Sequence, residues 1–261
     1  MDKLYLVPDI HRVEESLQLI NSCKGAFEYN DFYNPIVLDN KKLQMNIINT
    51  YSRYRSDFSV DTMHGAFLDV TIHSQDSLIR EVSEKRIIQS MDIAKEMKLR
   101  GVVFHTGRLY GFRDGLYLDN WKKTNIDFFR RMLEKYPGQN IYIENMFDEK
   151  PDILAGLTED LKEYNNFGIC FDYAHAKVYG DDIEEWFREL APYIKHMHIN
   201  DNNLKDDLHL AIGEGKIDWD EFVTMVQKYS IDSSVLIEVT GIEKQIESLE
   251  YISGNLTQKG F

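Results

Sequence analysis

Strand-like and helix-like segments alternate eight times along this chain of 261 residues. Short apolar runs predict strands at residues 4–7, 26–29, 59–63, 102–105, 141–144, 168–172, 194–199 and 235–239. Apolar residues at helical spacing predict helices between them, among them 77–99, 120–136, 152–164, 181–190, 219–229 and 243–252. Repeated strand–helix units form a parallel sheet with helices outside it, and eight such units close into a (β/α)₈ barrel. Because no linker rich in Pro or Gly divides the sequence, we predict one α/β barrel domain over residues 1–261.

The charge balance of the chain disfavours nucleic acid as a partner. Its 44 acidic residues against 30 basic ones give a net charge of −14, whereas affinity for nucleic acid depends on Lys and Arg that neutralise phosphates. No apolar run approaches the roughly 18 residues of a membrane span, and the N-terminus lacks a charged segment followed by a long apolar one. Cys23 and Cys170 form neither a disulfide framework nor a CxxC pair. We therefore predict a cytoplasmic protein with no membrane partner.

Acidic and histidine side chains occur at or near the C-terminal tips of six predicted strands. These residues are His64, His105, Glu144, Asp172, His198 and Glu238. In a barrel of parallel strands the tips converge on one mouth, so side chains from distant segments can share a ligand. Imidazoles and carboxylates gathered in this way are common ligands of divalent metal ions. The sequence therefore predicts a metal site at the mouth of the barrel.

The alternation of side chains along the strands supports the same site. Neighbouring residues of a strand point to opposite faces, so Ile141 and Ile143 share one face while Tyr142 and Glu144 share the other. The purely apolar face suits the helix layer, which leaves Glu144 pointing into the barrel. The same pattern holds around His105, Asp172 and Glu238. His196 has the parity of the ligands but lies one layer deeper, so we expect a hydrogen-bonded core histidine.

The most specific motif of the chain spans residues 196–219. It reads His-Met-His-Ile-Asn-Asp from residue 196, then Asp-Leu-His-Leu-Ala-Ile-Gly-Glu-Gly at 207–215 and Ile-Asp-Trp at 217–219. Together with the six strand tips in their order, this motif resembles the xylose isomerase-like barrel superfamily, over most of the chain. That superfamily includes sugar isomerases, ketose 3-epimerases and apurinic endonucleases of the endonuclease IV type.

Resemblance to the isomerase and epimerase branch implies one divalent ion held by Glu144, Asp172, His198 and Glu238. Three carboxylates with one imidazole suit Mn²⁺, Mg²⁺ or Co²⁺ better than a structural Zn²⁺. Such an ion would bind vicinal oxygens of a hydroxy-ketone and stabilise the enediolate that forms when a proton is removed. Glu144 and Glu238 would exchange this proton as acid and base, and His175 would hydrogen-bond a substrate hydroxyl.

Resemblance to the endonuclease branch implies further ligands and a cluster of three Zn²⁺ ions. The additional positions match His64, His105, His175, Asp207 and His209. Clustered metals can activate water and clamp both oxygens of a phosphodiester displacement, so this match supports a hydrolase. Relatives of the sugar-isomerase type often keep the histidines after strands three and four and the Asp-x-His pair as well. The match leaves both alternatives open.

The loops near the mouth favour a small sugar-like substrate. Residues 27–35 are acidic and aromatic and contain no Lys or Arg, and Glu28 would accept hydrogen bonds from a sugar but repel a phosphodiester. We expect Arg108 to bind a phosphate or carboxylate of the substrate, and Asn145 to contact the substrate or support the site. Phe67 lies where an aromatic side chain would intercalate into DNA, which favours the endonuclease alternative.

We therefore predict a divalent-metal-dependent isomerase or epimerase of a small sugar, sugar phosphate or related polyol ketone. The alternative is an endonuclease IV-like phosphodiester hydrolase that acts on abasic DNA. A dehydratase and a non-catalytic metabolite-binding barrel are further possibilities, the second disfavoured because every ligand position is filled. The resemblance also allows a homo-oligomer, although no predicted helix has an exposed apolar face that argues for one.

Overall fold

Eight parallel strands close into a barrel in this computed structural model, which describes residues 4–260. The strands are β1 (Leu4–Leu6), β2 (Ala26–Tyr29), β3 (Thr62–His64), β4 (Gly101–His105), β5 (Asn140–Glu144), β6 (Phe167–Asp172), β7 (Ile194–Ile199) and β8 (Ser234–Ile237). Each strand pairs with the next in sequence, and β8 pairs with β1. The predicted (β/α)₈ barrel is confirmed. Residues 1–3 and residue 261 lie outside the described residues. Residues 1–3 belong to the N-terminal segment in which we predict no charged stretch followed by a long apolar one.

Helices surround the barrel. Within residues 4–260 they are α1 (Val13–Cys23), α2 (Pro35–Leu38), α3 (Lys41–Ser52), α4 (Ser77–Met97), α5 (Gly115–Lys135), α6 (Asp152–Leu161), α7 (Tyr173–Tyr179), α8 (Ile183–Leu190), α9 (Trp219–Lys228) and α10 (Ile242–Tyr251). Many begin at an aspartate whose carboxylate accepts a hydrogen bond from a first-turn N–H, as Asp76, Asp114, Asp172 and Asp218 do. In the described part of the chain, no helix is both long and apolar enough to cross a bilayer.

Apolar side chains pack on both faces of the strands, in two separate sets. Ile141 and Ile143 belong to the large core between barrel and helices. Val103, Tyr142 and Cys170 form a small cluster on the other face, inside the barrel. The predicted parity is therefore confirmed, and it directs the alternate residues of each strand, including the acidic and histidine tips, towards the barrel axis.

The first turns of α4 differ from the prediction. Helical spacing predicts a buried stripe along the whole helix, but Leu78, Ile79 and Val82 are 71%, 48% and 53% exposed. These three side chains lie beside the loop at Asp69 and Thr71 rather than against a strand. The stripe is buried only from the middle of the helix onwards, where α4 reaches the barrel wall.

Candidate metal centre

Four of the predicted ligands meet at the mouth of the barrel. Glu144 and Asp172 are the last residues of β5 and β6, His198 lies near the end of β7, and Glu238 directly follows β8. All four are buried, with at most 8% of the residue exposed. One ligand atom from each lies within 4.8 Å of the other three. This spacing is compatible with a common divalent ion, whose ligand bonds are about 2.0–2.2 Å long.

Glu144 occupies the middle of the site. Its Oε1 lies 3.3 Å from Nδ1 of His198, whereas its Oε2 lies 3.3 Å from Nε2 of His64 and 3.4 Å from Nε2 of His105. The two carboxylate oxygens therefore face different imidazoles. Glu144 would therefore be a ligand in either of two neighbouring groups of donors, one with His64 and His105 and one with His198.

Two further groups of donors flank the central one. His64, His105 and Glu144 form the first, and His175, Asp207 and His209 form the second, again with ligand atoms within 4.8 Å of one another. In the second group, Oδ2 of Asp207 lies 3.3 Å from Nε2 of His175 and 3.1 Å from Nε2 of His209. The structure thus brings together all nine positions that match the endonuclease branch.

Backbone carbonyls orient three of these imidazoles. Nδ1 of His64 donates to the carbonyl of Gly65 at 3.0 Å. Nδ1 of His175 donates to the carbonyl of Asn145 at 2.9 Å, and Nδ1 of His209 to that of Glu238 at 2.8 Å. In its neutral form each ring carries only one N–H, so this bond leaves Nε2 unprotonated and facing the site once the second proton is lost. These tautomers suit metal ligation.

Asp201, which the sequence analysis did not single out, holds the loop that carries Asp207 and His209. Its carboxylate accepts hydrogen bonds from the N–H groups of Gly213 and Ile217 and from the indole of Trp219, at 2.9, 3.1 and 2.9 Å. Three bonds to one buried carboxylate fix both ends of the loop. The available signal was its place in the motif, directly after the His-Ile-Asn sequence.

Several polar atoms of the site are buried and have no hydrogen-bond partner. They are both carboxylate oxygens of Glu144, Oδ2 of Asp172, Nδ1 of His198, Oδ1 of Asp207 and Oε2 of Glu238. A buried polar atom without a partner costs about 1–3 kcal/mol, so such a concentration at one place calls for a ligand. A divalent cation fits, because these atoms are oxygen and nitrogen donors that converge.

The carboxylates of the site raise the pKa values of the histidines beside them. Burial lowers the pKa of His175, but Asp172, Asp207 and Glu144 outweigh it and hold that pKa well above the usual value. Burial likewise opposes protonation of His209, yet the hydrogen bond that it donates to Asp207 and the charge of Glu238 raise its pKa to about 10. Protons therefore balance the carboxylates until a cation replaces them.

A cavity of about 390 Å³ opens above the donors. Its wall includes His64, His105, His175, Asp207, His209 and Glu238, together with Asn30, Tyr33, Phe67 and Met146. The rings of Tyr33 and Phe67 stack at 4.7 Å between centroids. Among the described residues that line this cavity, none is Lys or Arg. The cavity is thus small, aromatic on one side and without a Lys or Arg side chain in its described lining.

Comparison with known proteins shows the family to which this barrel belongs. The profile of the xylose isomerase-like TIM barrel family matches residues 37–253, which is most of the chain. This chain is a member of the xylose isomerase-like TIM barrel family. The resemblance predicted from the strand tips and the motif at residues 196–219 is therefore confirmed.

The similar proteins carry names of different activities. An uncharacterised protein of Methanocaldococcus jannaschii is 29% identical over 201 residues, which cover 73% of this chain and 68% of that protein. A probable endonuclease 4 of Aquifex aeolicus is 27% identical over 193 residues, 66% of this chain and 67% of that protein. The solved structure of a D-tagatose 3-epimerase-like protein superposes with a TM-score of 0.76 at 24% identity, over 98% of this chain and 97% of that one. The structural likeness shows the shared fold.

Three predicted substrate contacts lie elsewhere in this xylose isomerase-like barrel. Glu28 belongs to β2 and is fully buried inside the barrel, so it is not a loop residue that faces the cavity. Arg108 is also buried, and its guanidinium lies 3.4 Å from Glu149 and 3.9 Å from Asp148. It lines not this cavity but an adjoining one, which shares Phe67, His105 and Met146 with it. The side-chain amide of Asn145 donates to the carbonyl of Asp172 and accepts from its N–H, which ties β5 to β6. This position fits the other predicted role of Asn145, which is to support the site rather than to contact the substrate.

His196 has the position that parity predicts. It is fully buried, and its Nδ1 lies 2.6 Å from the hydroxyl of Ser234. Its Nε2 lies 3.2 Å from Oε2 of Glu28. The histidine therefore belongs to a polar layer of the barrel interior below the candidate ligands.

We expect the metal-free protein to lose stability as pH rises from about 6.5 to about 10. The pKa of His209 is raised to about 10 in the folded state, chiefly by Asp207 against the effect of burial, and those of His175 and His198 are raised in the same direction. The folded state thus binds protons more tightly, so this stabilisation is complete below the unfolded pKa near 6.5 and is lost as pH rises through the folded pKa.

Thermal unfolding of chelator-treated protein across this pH range measures the effect. The midpoint temperature should fall with rising pH for the metal-free protein and change much less for zinc-loaded protein, because the ion replaces the protons. A midpoint that stays level or rises in the metal-free protein would show that these histidines do not carry the predicted protons.

Proposed function

We propose that this chain is a divalent-metal-dependent isomerase or epimerase of a small hydroxylated ketone or aldehyde sugar. The observation that carries the proposal is a buried carboxylate, Glu238, in the wall of a cavity of about 390 Å³ that has no Lys or Arg in its described lining. Such a cavity accommodates a neutral polyol, whereas a binding site for a phosphorylated chain ordinarily provides cationic side chains. The likeness in fold to a D-tagatose 3-epimerase-like protein supports the same class.

The donor set indicates which residues would hold the ion. Glu144, Asp172, His198 and Glu238 provide three carboxylates and one imidazole, a set that suits Mn²⁺, Mg²⁺, Co²⁺ or Zn²⁺. A divalent ion bound there supplies a Lewis acid for a substrate carbonyl. The partner of this site would be a small sugar-like molecule.

Glu238 is the best-placed base. Burial raises its pKa, but the charge of His198 outweighs burial and lowers the pKa, so the carboxylate is ionised at neutral pH. Its Oε2 has no hydrogen-bond partner in the described structure, and the residue lines the cavity. In the proposed reaction this carboxylate removes the proton from the carbon next to the carbonyl and, for isomerisation, returns it to the neighbouring carbon on the same face.

Glu144 lies too deep for the predicted role as an acid–base group. It is fully buried, is not among the residues that line the cavity, and has imidazoles close to both oxygens. Its position favours a ligand over a proton carrier. Transfer by Glu238 alone yields isomerisation on one face of the substrate, whereas epimerisation requires a second proton donor on the opposite face. His175 and His209 both line the cavity and are candidates for that donor.

Solvent exchange tests the proposal directly. We expect the protein loaded with Mn²⁺, Co²⁺ or Zn²⁺ to incorporate deuterium at the carbon next to the carbonyl when it is incubated with a panel of free ketoses and aldoses in deuterated water. Proton NMR of the sugars measures the loss of the corresponding signal. Absence of exchange with every sugar and every metal would contradict the proposal.

Phosphodiester hydrolysis is a second candidate, favoured by the two additional donor groups and by the central position of Glu144. Ions that share a carboxylate can bind the attacking and the leaving oxygen of one displacement. The relationship to a probable endonuclease 4 supports this candidate. Catalytic incision of a duplex with one abasic site, without exchange on any sugar, would select it. The same duplex without the abasic site is the control.

A further inference from the structure

A buried carboxylate lies inside the barrel, on the far side of the candidate ligand His198 from the metal centre. It belongs to Glu28 of β2, which is fully buried. Its Oε1 lies 3.0 Å from Nε2 of His198, and its Oε2 accepts a hydrogen bond of 2.7 Å from the hydroxyl of Thr62. β2 and β7 are not neighbours in the barrel, so this contact crosses the interior.

His198 differs from the other candidate imidazoles in the nitrogen that it presents. Its Nδ1 faces the centre, 3.3 Å from Oε1 of Glu144 and 3.3 Å from Oε2 of Glu238. His64, His175 and His209 present Nε2, because their Nδ1 donates to a backbone carbonyl. His198 has no such carbonyl bond among the described contacts, and Glu28 is the acceptor that faces its other nitrogen.

The tautomer of His198 decides whether it can bind a metal in this orientation. A neutral imidazole has one N–H, and the nitrogen that binds the ion must be the unprotonated one. A carboxylate 3.0 Å from Nε2 favours the proton at Nε2 and so leaves Nδ1 free. The contact does not have the geometry of a well-aligned hydrogen bond, so the carboxylate acts on the neutral ring through the attraction of its charge for the N–H at Nε2.

The surroundings of Glu28 keep it in place. Thr62 holds Oε2, and His196 approaches the same oxygen to 3.2 Å while its own Nδ1 contacts Ser234. Removing a carboxylate from water costs several kcal/mol, and a purely structural barrel interior is filled more favourably by apolar side chains. The burial of Glu28 therefore points to a role that an apolar residue cannot fill.

We infer that Glu28 is a positioning residue for the metal centre, which fixes His198 in the Nε2-protonated tautomer and makes its Nδ1 the metal-binding atom. The inference depends on the proposed metal-dependent function. It replaces the earlier expectation that Glu28 binds substrate.

Zinc titration of chelator-treated full-length protein tests this role by calorimetry. We expect Glu28→Gln to weaken zinc binding by about 10–100-fold. The neutral amide stabilises a proton at Nε2 of His198 less than a carboxylate does, and its own N–H can donate to an unprotonated Nε2. Tyr142→Phe is the control, since Tyr142 stacks on His196 in the same interior layer and should leave the zinc affinity unchanged. A zinc affinity of Glu28→Gln within twofold of wild type would overturn the inference.

Two further measurements keep the test decisive if Glu28→Gln does not fold. Thr62→Val removes only the hydroxyl that holds Glu28 and should weaken zinc binding several-fold; an unchanged affinity would count against the inference. In wild-type protein, ¹⁵N NMR of the imidazoles with zinc bound should show His198 protonated at Nε2, and protonation at Nδ1 would overturn the inference. If wild-type protein binds no zinc at all, the proposed metal-dependent function fails instead.

Discussion

Replacing Glu238 with Gln is expected to reduce turnover of any sugar that the wild-type protein converts by about 10²–10⁴-fold, the usual contribution of a general acid–base group. The amide keeps the size of the side chain but cannot accept the substrate proton. The change should appear in kcat and in the rate of deuterium exchange, with folding retained. Circular dichroism and the thermal midpoint establish that the variant folds.

A matched substitution distinguishes catalysis from a general effect of lost charge. Glu243→Gln changes an exposed glutamate at the start of α10, whose carboxylate pairs with Arg12 on the outside of the barrel. This control should retain wild-type turnover. A Glu238→Gln variant that also retains it would remove Glu238 from the proton transfer, while the metal site could still stand.

Replacing Glu144 with Gln is expected to lower the affinity for metal at the whole centre by more than about 100-fold, since changes in groups that merely support a ligand already cost 10–100-fold. The reason is its position, with one oxygen towards His198 and the other towards His64 and His105. Zinc content after dialysis, measured by mass spectrometry, should fall by at least one ion per chain.

Glu149→Gln provides the control for Glu144. This residue lies in the loop after β5, where it pairs with Arg113 and Arg108 away from the donors. Its replacement should leave the zinc content unchanged. If the Glu144 variant kept the same number of ions with the same affinity, the central role assigned to this carboxylate would be wrong.

Much of the barrel and of its mouth follows from local patterns in the sequence. Alternation of side chains along a strand has a strict period, so Ile141 and Ile143 predict the position of Glu144 without any knowledge of the rest of the fold. Closure of the barrel then brings the strand tips together. For this reason the grouping of Glu144, Asp172, His198 and Glu238 was predictable although they are far apart in sequence.

The alternation of side chains along β2 also predicts the position of Glu28. Phe27 and Tyr29 belong to the outer core and Ala26 to the interior, so the alternation that places Glu144 inside the barrel also places Glu28 there. The acidic and aromatic composition of residues 27–35 suggested a substrate loop instead. The contact of Glu28 with His198 joins β2 to β7, which are three strands apart around the barrel, and no local pattern contains it.

Two other features depend on three-dimensional detail that spacing does not carry. Helical periodicity describes the apolar face of α4 but not where the helix meets the barrel, so Leu78, Ile79 and Val82 are exposed although they continue the stripe. Asp201 binds backbone groups of a loop that are 12 and 16 residues distant along the chain. Such a role requires the folded path of the loop.

Anomalous diffraction from crystals soaked in zinc or manganese chloride tests the central claim most directly. We expect an ion about 2.0–2.2 Å from Nδ1 of His198 and from carboxylate oxygens of Glu144, Asp172 and Glu238. Further peaks at the two flanking groups of donors would support the hydrolase candidate. Crystals that bind the metal elsewhere, with no peak among these four side chains, would contradict the account.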